Sequence, residues 1–137
     1  MRPIELLLIE DNAADARLTA ETLREVSVPS RLAVVNDGVE AMAFLRQERQ
    51  YADAPVPDLI VMDLQLPRMS GLEILDELQA DSRLRQIPVV VLTGSVDLDE
   101  RAELMKQSIQ RHIIKPCDLD SYIACIRSLL NEFHPRS

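Results

Sequence analysis

Short apolar runs recur along the chain at residues 4–9, 32–35, 59–62, 89–92 and 113–114, and longer stretches with apolar positions every three or four residues separate them. Runs rich in leucine and β-branched residues predict strands, and the intervening amphipathic stretches predict helices. Five βα units in 137 residues leave about 27 residues each, enough for parallel strands joined by right-handed helical crossovers. The runs are continuously apolar rather than alternating, so each strand is expected to be covered on both faces. The pattern therefore predicts an α/β fold: a five-stranded parallel sheet, doubly wound, with helices on both sides.

The helices follow from periodicity and end signals. In the first, Asn12 and Asp15 suit a capping box, with Leu18, Thr19, Thr22, Leu23 and Val26 on one face and Arg17, Glu21, Arg24 and Glu25 on the other. Asp37-Gly38 opens a second helix to about residue 46, and Ser70-Gly71 a third to about residue 80. Asp97 opens a fourth to about residue 107, and Asp118 a fifth to about residue 133. Residues 49–57, with two prolines, read as a surface loop. No internal repeat or linker divides the chain, so residues 1–137 are expected to form a single domain without an output domain.

Composition narrows the partners. A formal net charge of −8 and a pI near 4.7 oppose binding to nucleic acid or anionic lipid and favour divalent cations or basic protein patches. The longest apolar run is far shorter than the roughly 20 residues of a membrane span, and the N-terminus lacks signal-peptide features; a cytoplasmic location is expected. Cys117 and Cys125 lack metal or redox spacing and read as small core or interface hydrophobes.

In an open α/β sheet, ligands bind beyond the carboxyl ends of the strands. Here the first strand ends in Glu10-Asp11, the third in Asp63, the fourth in Thr93-Gly94-Ser95 and the fifth in Lys115-Pro116. With strand order 2-1-3-4-5 these four ends adjoin, gathering three carboxylates, a hydroxyl and an ammonium. Carboxylates crowded together repel, and a hard divalent cation bound through oxygen relieves this, with Mg²⁺ the natural candidate. A cation, Lys115 and Thr93 around an aspartate are the parts required for phosphoryl transfer to that aspartate.

These segments, together with Asp63-Leu64-Gln65-Leu66-Pro67 and Met69-Ser70-Gly71, resemble the receiver domain of bacterial two-component response regulators across nearly the whole chain. Asp15-Ala16-Arg17-Leu18, Tyr51-Ala52-Asp53-Ala54-Pro55 and the long final helix resemble, more narrowly, stand-alone receivers that pair with bacteriophytochrome histidine kinases. The resemblance implies a flavodoxin-like (βα)5 fold in which Asp63 accepts a phosphoryl group from a kinase histidine. It further implies that Asp11, Asp63 and the backbone carbonyl of Gln65 hold Mg²⁺, that Glu10 acts through metal-bound water, and that Thr93 and Lys115 contact the phosphoryl group. A receiver of this kind is a switch that is itself modified, with at most self-phosphorylation and self-dephosphorylation, and signals through protein–protein interaction. The Lys115–Pro116 peptide is expected to be cis.

Two positions depart from the family pattern. His112 stands where receivers usually carry the aromatic switch residue, either as a surface imidazole or as a source of pH sensitivity. Ser108-Ile109 replaces the usual Gly-Ala, removing a glycine that ends the fourth helix. On the final helix Leu119, Ile123, Ile126 and Leu130 read as the core stripe. Tyr122, Cys125, Leu129 and Phe133, with Leu104 of the preceding helix, then read as surplus apolar groups that form a homodimer interface with the fifth strand.

Other functions fit less well. A Mg²⁺-dependent phosphatase of the haloacid dehalogenase type needs a second aspartate two positions after the first, where Gln65 stands. An FMN carrier needs a phosphate loop unlike the acidic residues 11–15. A degenerate receiver would not retain the full acidic and basic set, whereas a phosphorelay intermediate or phosphate sink uses the same residues.

Overall fold

The computed structural model of the chain describes residues 3–26, 28–64, 66–93, 111–114 and 118–133. Gln65, the expected helix over 97–107 with Leu104, Ser108-Ile109, Lys115, Pro116 with its peptide bond, and Cys117 lie outside the described residues.

Strands β1 (Ile4–Ile9), β2 (Ser30–Val35), β3 (Leu59–Met62), β4 (Val89–Thr93) and β5 (Arg111–Ile114) form one parallel sheet in the order β2-β1-β3-β4-β5. Helices α1 (Ala13–Glu25), α2 (Gly38–Leu45), α3 (Gly71–Ala80) and α4 (Leu119–Glu132) occur between and after them. Three strands are one to two residues longer at an end than their apolar runs. Ser30 and Arg31 join β2 because they register with Ile4 and Glu5 of β1, and Arg111 and His112 join β5 opposite Val90 and Val91. Sheet pairing thus carries polar residues that hydropathy leaves out.

The period-two alternation of strands divides the core into two layers. Leu7, Ile9, Ile60, Met62, Val89 and Val91 pack against α2 and α3, meeting Met42, Phe44, Ile74, Leu75 and Leu78. Ile4, Leu6, Leu8, Leu59, Val61, Val90 and Leu92 face the other way, toward α1 and α4, meeting Leu23, Tyr122, Ile126, Leu129 and Leu130. Helix N-termini are satisfied by side chains as the sequence requires. Asn12, Asp37, Ser70 and Asp118 accept from the backbone N–H three residues on, at 3.0, 2.8, 3.3 and 2.9 Å.

The expected loop over 49–57 is more structured than its prolines imply. It opens with a 3-10 turn, Arg49–Tyr51, and the Tyr51 ring packs against Phe44 with centroids 5.3 Å apart. The Tyr51 hydroxyl donates to Glu40 at 2.9 Å. Burial and that carboxylate raise the phenol above its ordinary pKa.

The face of α4 differs from expectation. Tyr122, Ile126, Leu129 and Leu130 are buried, whereas Leu119 is 55% exposed and Ile123 half-buried. Cys125 and Phe133 pack at the margin of the same core layer. Tyr122 and Leu129, at 4% and 3% exposure, are therefore core residues and not surplus surface groups. The cause is a second wall. A stripe facing one sheet is narrow, but α4 also packs against α1, which widens the buried face and shifts it toward Tyr122. The Thr19 hydroxyl donates to the Asp15 carbonyl at 3.0 Å, so in its 3.0 Å contact with Tyr122 the tyrosine O–H is the donor.

Candidate functional site

Parallel pairing in register brings the strand ends together. Ile9 of β1 lies opposite Met62 of β3, Met62 opposite Val91 of β4, and Thr93 opposite Ile114 of β5. The chain leaves β1 at Glu10 and β3 at Asp63, and the Asp63 N–H donates to the Ile9 carbonyl at 3.2 Å. The Glu10 N–H donates to Val35 of β2 at 3.0 Å. The expected acidic residues are thus held on one edge of the sheet by backbone bonds that continue its ladders.

Their environments differ. Glu10 is only 4% exposed, and its Oε2 accepts from the Asn12 N–H at 3.3 Å. That contact turns the carboxylate toward the start of α1, where partial positive charge favours it. Asp11 is exposed and Asp63 half-buried. Thr93 is placed by its strand at the end of β4, beside β5. Lys115 and Gln65 lie outside the described residues, and His112 is placed on β5 opposite Val91.

Among the described residues no three His, Cys, Asp or Glu side chains converge as a metal-holding group. The set expected from sequence does not require three: Asp11 and Asp63 are its only direct carboxylate ligands, Glu10 acts through water, and the remaining ligand is a backbone carbonyl at Gln65. Two solvent-accessible carboxylates in an all-oxygen set suit a hard ion that retains several waters, as Mg²⁺ does. The residues present fit that ion.

The segment after Asp63 turns sharply back into α3. The Gly71 N–H donates to the Leu64 carbonyl at 3.0 Å, and a Cβ at Gly71 would stand 2.8 Å from Leu64 Cα and 2.9 Å from the Asp63 carbonyl. Glycine is what allows α3 to start so close under the end of β3. Further along, Arg68 Nη1 reaches Asp37 Oδ2 at 3.1 Å, and a Cβ on Gly38 would collide with Met69. The sequence marks Asp37-Gly38 only as a helix start. Nothing in its local pattern identifies Arg68, 31 residues away, as a partner.

The family model of the response regulator receiver domain matches residues 6–127 of this chain. Response regulator Rcp1 of Synechocystis sp. is 35% identical over 127 residues, covering 93% of this chain and 86% of that protein. The crystal structure of its Mn²⁺-bound form aligns with a TM-score of 0.89 at 33% identity and covers 98% of both chains. The crystal structure of the phosphorylated cyanobacterial phytochrome response regulator RcpA aligns with a TM-score of 0.91 at 39% identity, covering 96% of this chain and 94% of that one. The bacteriophytochrome response regulator AtBRR aligns with a TM-score of 0.76 at 30% identity, covering 94% of each. Among the described residues no helix is long and apolar enough to cross a membrane.

Proposed function

Because this chain belongs to the response regulator receiver domain family, we propose that it accepts a phosphoryl group from the histidine of a sensor kinase onto Asp63 and signals by altered protein–protein interaction. The observation that carries the reading is the placement of Asp63 directly after central strand β3, bonded through its N–H to β1 where Glu10 and Asp11 emerge. An Asp63 carboxylate oxygen attacks phosphorus, the phosphorus–nitrogen bond to the kinase imidazole breaks, and the imidazole nitrogen retains the electron pair. Asp11 and Asp63 would hold Mg²⁺ together with the backbone carbonyl of Gln65, and Glu10 would act through water. Bound Mg²⁺ supplies neutralising charge for the incoming phosphoryl oxygens. Thr93 donates its hydroxyl to the phosphoryl group and Lys115 pairs with it. The chain is modified rather than turning over a substrate.

The similarity to proteins named as phytochrome response regulators supports a bacteriophytochrome-type histidine kinase as the donor. The test is phosphoryl uptake from a purified kinase of this type, with and without Mg²⁺, in wild type and Asp63→Asn. Uptake by wild type with metal and none by the variant is expected. Equal labelling of Asp63→Asn, or labelling indifferent to chelation, would refute the assignment.

A further inference from the structure

Arg68 lies five residues beyond the acceptor aspartate, at a place where the backbone is under strain. Its φ is 68°, a region that long side chains seldom occupy. Across it the Met69 N–H donates to the Pro67 carbonyl at 2.7 Å, which closes a γ-turn in its unfavourable, positive-φ form. Such a conformation persists only where the surroundings over-determine it.

Helix α2 provides those surroundings. The Pro67 carbonyl that closes the turn also accepts from the Gly38 N–H at 3.5 Å. Gly38 is packed so closely against Met69 that any side chain there would collide. Asp37 is 8% exposed and divides its carboxylate: Oδ1 caps α2 through the Glu40 N–H at 2.8 Å, and Oδ2 receives Arg68 Nη1 at 3.1 Å. At the loop's other end, Gly71 ties Leu64 to the start of α3. The backbone that follows Asp63 is therefore clamped at both ends, and the α2 clamp includes an ion pair.

The geometry points to Arg68 as a positioning residue for phosphoryl transfer: through its pair with Asp37 it holds the strained turn after Asp63 against α2, and so sets the rates at which phosphoryl is gained and lost. The inference rests on Asp63 being the acceptor. Gain and hydrolysis are both in-line displacements at phosphorus, with the Asp63 carboxylate the nucleophile in the first and the group displaced by water in the second, so a displaced loop slows both.

The test measures phosphoryl uptake from acetyl phosphate, and its subsequent loss, in Mg²⁺ for wild type, Arg68→Gln, Arg68→Lys, Asp37→Asn and the double variant Asp37→Asn with Arg68→Gln. Arg68 is 53% exposed at its side chain, so its replacement leaves the core intact, and asparagine caps a helix as well as aspartate does. Each charge-removing single variant is expected to slow both rates by about twofold to fivefold, the scale of an exposed ion pair expressed as a rate. The double variant is expected to be no slower than either single, because the two residues share one interaction, and Arg68→Lys is expected to restore most of the rate. Rates matching wild type, faster rates, effects that multiply in the double variant, or a lysine variant as slow as the glutamine one would overturn the proposal while leaving the acceptor assignment intact. Wild type that takes up no phosphoryl would overturn both.

Discussion

Leu129→Asp separates a core role for α4 from a surface one. As a surface group, Leu129 would tolerate aspartate with little change in folding, and the variant would be a stable monomer. The structure instead buries Leu129 to 3% exposure, in a layer with Leu6, Leu8, Val61, Val90 and Leu92 from the sheet and with Ile126 and Leu130 from its own helix. Removing a leucine side chain from such a layer costs about 2–5 kcal/mol. Placing an ionised carboxylate there adds several kcal/mol more. The sum is comparable to the whole stability of a domain, about 5–15 kcal/mol. Leu129→Asp is therefore expected to lack a cooperative thermal transition by circular dichroism, and Leu129→Ala to fold with a melting temperature lowered by about 10 °C. Leu119→Asp is the control: at 55% exposure in the first turn of α4, it should change stability by no more than about 0.5 kcal/mol. A Leu129→Asp protein that is monomeric by sedimentation and melts within a few degrees of wild type would refute the packing argument.

Two further perturbations probe the loop after Asp63 and the response to acid. Gly71→Ala places a methyl group against Leu64 and the Asp63 carbonyl, so a loss of about 1–3 kcal/mol in urea unfolding is expected, with slower phosphoryl uptake; unchanged stability and uptake would show that the close approach is not required. The Asp118 carboxyl is held below its ordinary pKa by the Ser121 N–H and side chain, and Asp81 by the Leu84 and Arg83 N–H groups. Their contribution to stability is fully present above the unfolded-state value, about 3.9, and is lost as pH falls through the lower folded-state values. Asp118→Asn, which caps without titrating, should show a shallower decline in urea midpoint below that pH, and an acid profile identical to wild type would contradict this.

Much of this protein was legible along the chain because the relevant physics is local or periodic. Continuous apolar runs mark strands covered on both sides, and 59–62 and 4–9 coincide with β3 and β1. Asn12, Asp37, Ser70 and Asp118 mark helix starts because each accepts from an N–H only three residues away. The acidic edge was also legible: once the strands are parallel and doubly wound, whatever follows β1 and β3 must share one rim, and Glu10, Asp11 and Asp63 do so.

What the chain alone left open depends on which surfaces meet. The rotation of α4 about its axis was decided by α1 as a second packing partner, which buried Tyr122 and Leu129 and left Leu119 in solvent. A helical wheel supplies the period of a buried stripe but not the number of walls that cover it. The pairing of Arg68 with Asp37 required two loops to meet across 31 residues of sequence, and the turn that carries it depends on the missing Cβ of Gly38 beside Met69. Tertiary contact decides these features because the energy of a buried face, or of a strained turn, is set by what the fold presses against it.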